Sequence, residues 1–190
     1  MSVTDTVRER LERRSPATSG RLSESEFLLV GAAAGALGWG GTQVLAWLGP
    51  RSSAALATGL WAVLVAGFAT VTVLHGPDEA RFSDPMFVWG SANGTAMALT
   101  LGGLAGLVPA VVAFWAVWAA ASAVGYCWTG GLLEGSGDSA RGRAYFLSGL
   151  VALAVLAVGA VAFSAVESVA FLVLGVLHVV PLVLDSRRAG

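Results

Sequence analysis

Four residues that could carry chemistry lie inside long apolar stretches of the sequence: Gln43, Asn93, Trp118 and His178. An amide or an imidazole placed in hydrocarbon needs a hydrogen-bond partner, and aromatic rings commonly line sites for small molecules. We therefore predict that these four side chains project into one cavity that admits a small, weakly polar solute. The alternative is that the two amides form interhelical hydrogen bonds that only fix the packing.

Catalytic and metal chemistry have little support in the sequence. Neither His75 nor His178 belongs to an HxxH, HxxxH or HExxH pair, so we expect no metal site. No paired-carboxylate site, Ser/His/Asp set or phosphate-binding loop is recognisable, and we expect no catalytic residue and no cofactor. The single cysteine, Cys127, has no internal disulfide partner and is interpreted as a small buried residue.

Apolar segments must position these side chains. Hydrophobic residues make up 56% of the 190 residues and charged residues only 12%, which indicates a membrane protein. The formal net charge of −1 leaves no basic surface for nucleic acid. The absence of lysine and isoleucine, whose codons are rich in A and T, suggests a high-GC prokaryotic genome.

The apolar runs predict an all-α polytopic bundle of six transmembrane helices, because about 20 apolar residues cross the hydrocarbon layer. Gly106 and Pro109 divide the longest run, and Ser164 and Glu167 fit a capping box that starts the last helix. Ser23 and Glu26 fit another capping box that starts the first helix, and Asp84 followed by Pro85 is predicted to cap the third. The predicted membrane domain covers 27–185. Its crossings lie at about 27–48, 53–74, 86–107, 109–128, 145–163 and 165–184.

The arginines predict the orientation, because cytoplasmic loops retain basic residues. With six crossings, ten arginines fall on one side and only Arg51 on the other. Both termini are therefore expected in the cytoplasm, with the protein in the cell membrane. Residues 1–26 form a cytoplasmic segment with a short amphipathic helix at Val3–Arg14, and residues 186–190 form a cytoplasmic tail.

A repeat and a set of glycines suggest how the helices pack. Helices 1, 3 and 5 are predicted to begin at Phe27, Met86 and Tyr145, which are equally spaced, so three parallel two-helix hairpins are an option. GxxxG pairs let helices approach closely, within the chain or against a partner subunit. The glycines of these pairs are Gly31, Gly35, Gly90, Gly94, Gly102 and Gly106.

Three classes of function remain open. The buried amides and the aromatic residues favour a small-solute permease or a substrate-binding membrane subunit. The glycine pairs favour a non-catalytic accessory or structural subunit, and only His178 and the loops favour an intramembrane enzyme. In size and predicted helix count the chain is similar to the small substrate-capturing subunits of energy-coupling-factor vitamin importers, although it has no diagnostic motif of that family. The expected partners are the lipid bilayer, a solute, and a membrane subunit or a second copy of the chain.

Overall fold

The computed structural model describes residues 21–49, 53–77, 81 and 83–189, and the predicted amphipathic helix at Val3–Arg14 lies outside these ranges. The described part is all-helical and contains no strand. A π-helical turn at Val112–Ala116 begins the fourth long helix, and a 3-10 turn at Glu167–Val169 separates the last two. The helices are α1 Glu24–Leu48, α2 Ser53–His75, α3 Asp84–Leu104, α4 Val112–Gly135, α5 Ser139–Val166 and α6 Ala170–Ala189.

Long apolar helices make the fold consistent with a membrane location. In the described ranges, four stretches have the length and composition to cross a bilayer. The helix α3 is not among them, and the last stretch includes both α5 and α6. The four stretches are Glu24–Leu48, Ser53–His75, Val112–Gly135 and Ser139–Arg188.

Local signals set several helix ends. The capping box predicted at the start of α1 is confirmed, because the Ser23 hydroxyl accepts from the Glu26 amide and the Glu26 carboxylate accepts from the Ser23 amide. The N-cap of α3 lies one residue before the predicted one. Ser83, rather than Asp84, is the N-cap, because its hydroxyl accepts from the Met86 amide.

The chain reverses direction between α5 and α6. Ala162 has non-helical backbone angles (φ −145°, ψ 45°), and the 3-10 turn follows five residues later. Arg141 near the start of α5 and Asp185 near the end of α6 lie 2.6 Å apart, so the two helices are antiparallel. We call the segment 162–169 the junction. The predicted capping box of Ser164 and Glu167 does not form, because the start of α6 is capped from α1 instead, as described below.

The helices pair unequally across the bundle. The most extensive contacts join α4 to α5 and α1 to α6, while α2 packs on the outside of α1 and α3 on the outside of α4. Glycines permit the close approach of α4 and α5: a Cβ at Gly130 would lie 2.7 Å from the Gly142 carbonyl oxygen. The two helices of the last hairpin thus pack mainly on other helices, and the three predicted hairpins are not equivalent in their packing.

The predicted GxxxG pairs have different environments. Gly31 and Gly35 face Phe68, Leu182 and His178, so this pair lies in a helix contact. A Cβ at Gly90 or Gly94 would meet nothing within 4 Å, so the expected contact of this pair within the chain does not form among the described residues. Both glycines are exposed. In the third pair, Gly102 meets Val108, and Gly106 (φ 74°) forms the turn after α3.

Candidate solute cavity

A cavity of about 740 Å³ lies between α1, α2, α3, α4 and the junction. Its walls are rich in aromatic side chains, and we call it the aromatic cavity. Three of the aromatic residues are phenylalanines, namely Phe114, Phe163 and Phe171. The other five are tryptophans, namely Trp39, Trp47, Trp61, Trp115 and Trp118.

Three tryptophans from three helices form the centre of this aromatic lining. The ring centroids of Trp39 and Trp61 are 4.6 Å apart in an edge arrangement, and those of Trp61 and Trp118 are 5.9 Å apart and nearly parallel. Trp39 and Trp118 are buried in the core, whereas Trp61 is half-buried. Small residues make room for the rings, since a Cβ at Gly38 would lie 2.5 Å from Trp61. The cluster joins α1, α2 and α4.

Most of the indole donors in the lining are already engaged. Trp61 and Trp118 donate to the hydroxyls of Thr42 and Thr100 at 3.2 and 3.0 Å. Trp115 donates to the Ala170 carbonyl at 3.2 Å, and Trp47 donates to the Ser168 carbonyl. The buried indole nitrogen of Trp39 has no hydrogen-bond partner in the described part of the chain. A ligand would therefore meet mainly ring surface.

Gln43 holds the junction to α1. Its side-chain oxygen accepts from the amides of Phe171 and Leu172 at 3.1 and 3.2 Å, and its side-chain nitrogen donates to the Ser168 carbonyl at 3.1 Å. The first amides of a helix have no partner within it, so this side chain caps α6 from another helix. Inside a membrane protein, backbone N–H and C=O groups outside regular helices need such hydrogen bonds from neighbouring side chains.

Two of the four predicted site residues line the aromatic cavity, and two do not. Gln43 and Trp118 contribute to its wall. His178 instead packs its ring against Gly35, with its ring centroid 6.4 Å from that of Trp89, towards the opposite end of the bundle. Asn93 is half-buried on α3 and is not part of the lining. The aromatic cavity is therefore not a cavity shared by all four residues.

Sequence reasoning missed the central residues of the cavity. Trp39 and Trp61 lie deep in their apolar segments, but nothing in their spacing shows that they meet Trp118. Thr100 follows Asn93 by two turns on α3, and its hydroxyl donates to the Ala113 carbonyl and accepts from Trp118. These contacts depend on how helices cross, which periodicity within one helix does not report.

Charged residues gather at the opposite end of the bundle. Arg141 contacts the Asp185 carboxylate at 2.6 and 2.7 Å and the Glu24 carboxylate at 2.6 Å, and Tyr145 donates to Asp185 at 2.7 Å. Asp138 lies 3.7 Å from the same guanidinium. We call these five residues the ion-pair cluster. The cavity beside it has a volume of only about 40 Å³.

The ion-pair cluster connects α1, α5 and α6. The hydrogen bond to Asp185 raises the pKa of Arg141 above its ordinary value, partial burial opposes this shift, and Glu24 acts in the same direction as Asp185. Asp185 is 2% exposed, so its charge depends on Arg141 and Tyr145 for compensation.

In the described ranges, no group of three His, Cys, Asp or Glu side chains is arranged to hold a metal ion. Neither a protein-family model, nor a curated protein, nor a solved structure matches the chain. Function is therefore argued from the geometry of the aromatic cavity.

Proposed function

We propose that this protein binds a small solute in the aromatic cavity, as a permease or as a substrate-binding membrane subunit. The observation that carries the proposal is a cavity of about 740 Å³, which falls in the range of ligand sites of roughly 300–1,000 Å³. Its mixture of aromatic walls and a few polar groups is also typical of such sites. The indole N–H of Trp39, which has no partner among the described residues, offers one donor beside it.

The proposal includes six membrane crossings with both termini in the cytoplasm. The antiparallel arrangement of α5 and α6 supports two separate crossings in the last apolar stretch. Arg141 and Arg143 at the start of α5 and Arg187 and Arg188 at the end of α6 lie at the end of the ion-pair cluster, which favours that end as the cytoplasmic one. The aromatic cavity then belongs to the outer half of the bundle.

Orientation is testable by cysteine labelling in a Cys127→Ala background. A cysteine at Arg51 should react with an impermeant maleimide in intact cells, whereas a cysteine at Ser136 should react only after the membrane is opened. Ser136 lies in the exposed turn between α4 and α5. Equal labelling of the two positions in intact cells would contradict the orientation.

Solute binding is testable by filling the cavity. Ala57 of α2 lines the aromatic cavity, and Ala69 lies on an exposed part of the same helix. Purified protein in nanodiscs is screened by tryptophan fluorescence and calorimetry against small neutral and charged aromatic solutes. Ala57→Phe should abolish binding of every solute that the unmodified protein binds, and Ala69→Phe should leave it unchanged. Equal binding by the two variants would sink the proposal.

An accessory role in a larger membrane complex is the second candidate, and the packing of two helices favours it. None of the residues of α2 is buried, and Gly90 and Gly94 on α3 face open space. Such surfaces suit lipid or a partner subunit. If no solute binds and the protein purifies in a stable complex with another membrane protein, this role is the better account.

A further inference from the structure

The aromatic cavity combines ring surfaces with a single ionisable side chain. Among the described residues that line it, Glu167 carries the only charge, and no arginine or histidine is present. Glu167 begins the 3-10 turn of the junction and is exposed. In the described part of the chain, its carboxylate has neither a hydrogen bond nor an ion pair. Among the described residues, no group competes with a ligand for this charge.

The tryptophans are suited to a ligand that does not need hydrogen bonds. Four of their five indole donors are taken by the protein, so the rings are held in place and offer chiefly their π surfaces. A cation within about 6 Å of a ring centroid is attracted by the ring quadrupole, and the attraction grows when the cation is desolvated. A quaternary ammonium ion has no N–H group to satisfy and fits this environment.

The rings and the Glu167 carboxylate favour a cation over an anion or a neutral solute. An anion would meet the negative faces of the rings and the Glu167 carboxylate, and both oppose its binding. A neutral solute would gain burial but no Coulombic attraction to Glu167. Only a cation gains from both features, because the rings stabilise it inside the cavity and the carboxylate attracts it to the exposed margin.

We propose that the solute is an organic cation, of the quaternary or otherwise permanently charged amine class, which lies against Trp39, Trp61 and Trp118 with Glu167 at the margin of the cavity. This inference rests on the proposed solute-binding function and names the class of solute. It assigns binding alone and involves no covalent step.

Three soluble probes of similar size and different charge test the inference: benzyltrimethylammonium, phenylacetamide and phenylmethanesulfonate. Binding to the full chain in nanodiscs of zwitterionic lipid is measured by calorimetry and by quenching of tryptophan fluorescence. We expect benzyltrimethylammonium to bind about tenfold more tightly than phenylacetamide, with no binding of the sulfonate. Comparable affinity of the neutral probe or the anion would overturn the assignment and leave the solute site standing. Failure of all three to bind would count against both proposals.

Two variant pairs attribute the selectivity to named residues. Glu167→Gln should weaken cation binding about threefold, whereas Glu134→Gln, an exposed acid at the other end of the bundle, should not. Trp61→Leu should lose cation binding, and Trp61→Phe should retain most of it, although both remove the same hydrogen bond to Thr42. Circular dichroism and thermal melting verify that each variant folds. Identical cation affinity in folded Trp61→Leu and Trp61→Phe would refute a role for the ring.

Discussion

The two ends of the bundle use polar groups in opposite ways. At the junction, neutral donors and acceptors from Gln43, Trp47 and Trp115 bind the backbone of the turn and of the start of α6, and a space of about 740 Å³ remains beside them. At the other end, Glu24 and Asp185 both bind Arg141, and the space beside them is about 40 Å³.

The two cavities differ in size because backbone caps and ion pairs place their partners differently. A side chain that caps backbone groups can lie along the wall of a cavity, since its partners stay on the adjacent helix. Opposite charges removed from water must meet directly, because each is costly to bury alone. The ion-pair cluster therefore draws three helices together, whereas the junction remains beside an open space.

The largest effect should come from breaking the ion-pair cluster. Arg141→Leu leaves the Asp185 carboxylate, 2% exposed, without its cation, and we expect a loss of about 4 kcal/mol in the free energy of unfolding. The control is Arg143→Leu, because Arg143 is exposed and binds only the Ser139 carbonyl in the described contacts. Thermal unfolding in detergent measures both. Equal melting temperatures would show that the cluster does not hold this end together.

The matching test at the junction is Gln43→Leu. This change leaves two α6 amides and part of the Ser168 interaction unsatisfied at a site that is 1% exposed, and we expect a loss of about 3 kcal/mol. Hydrogen exchange should increase at Phe171 and Leu172 ahead of global unfolding. Thr70→Val, which removes only a local bond on exposed α2, serves as the control. Unchanged exchange at α6 would mean that the cap is dispensable.

Glycine replacement tests the helix contact that lies between the two ends. Gly35→Ala should cost about 2 kcal/mol, because the new Cβ would collide with the His178 ring in a packed contact. Gly94→Ala faces open space and should be neutral or stabilise by up to about 1 kcal/mol through helix propensity. The two changes are expected to shift the melting temperature in opposite directions. If Gly94→Ala is the more harmful change, α3 has a partner that the chain itself does not supply.

The smallest expected loss of stability comes from a hydrogen bond at the edge of the ion-pair cluster. Tyr145→Phe removes one hydrogen bond to Asp185 while Arg141 keeps the carboxylate paired, so we expect a loss of about 1 kcal/mol. The double variant Arg141→Leu with Tyr145→Phe should differ from the sum of the single changes, because both act on one carboxylate. Strict additivity in thermal melting would argue against a shared network.

Sequence patterns predicted best what depends on near neighbours in the chain. The Ser23 and Glu26 capping box formed as predicted, and Gly106 lies in the turn between α3 and α4, because three or four residues suffice to define each feature. The same reasoning was wrong for Ser164 and Glu167. Their local pattern was correct for a cap, but Gln43 of another helix supplied the acceptor instead.

The same contrast between local patterns and contacts between helices applies to the candidate site. Gln43 and Trp118 line the aromatic cavity, whereas Asn93 and His178 do not, although all four were chosen on the same criterion of polar or aromatic character in apolar surroundings. That criterion identifies side chains that need a partner. It does not identify which helix provides the partner. His178, for example, lies against Gly35 and not at the cavity.

The sequence by itself determined that this chain forms long apolar helices, where several of them begin, and that its arginines are distributed unevenly. These features follow from composition and from contacts within a few residues. Only the tertiary structure decided that three tryptophans from different helices surround one cavity, that Gly31 and Gly35 are packed while Gly90 and Gly94 are not, and that Arg141 meets Asp185. The physical reason is that apolar helices expose similar surfaces on every side, so the choice of contact face depends on the combined packing of all helices.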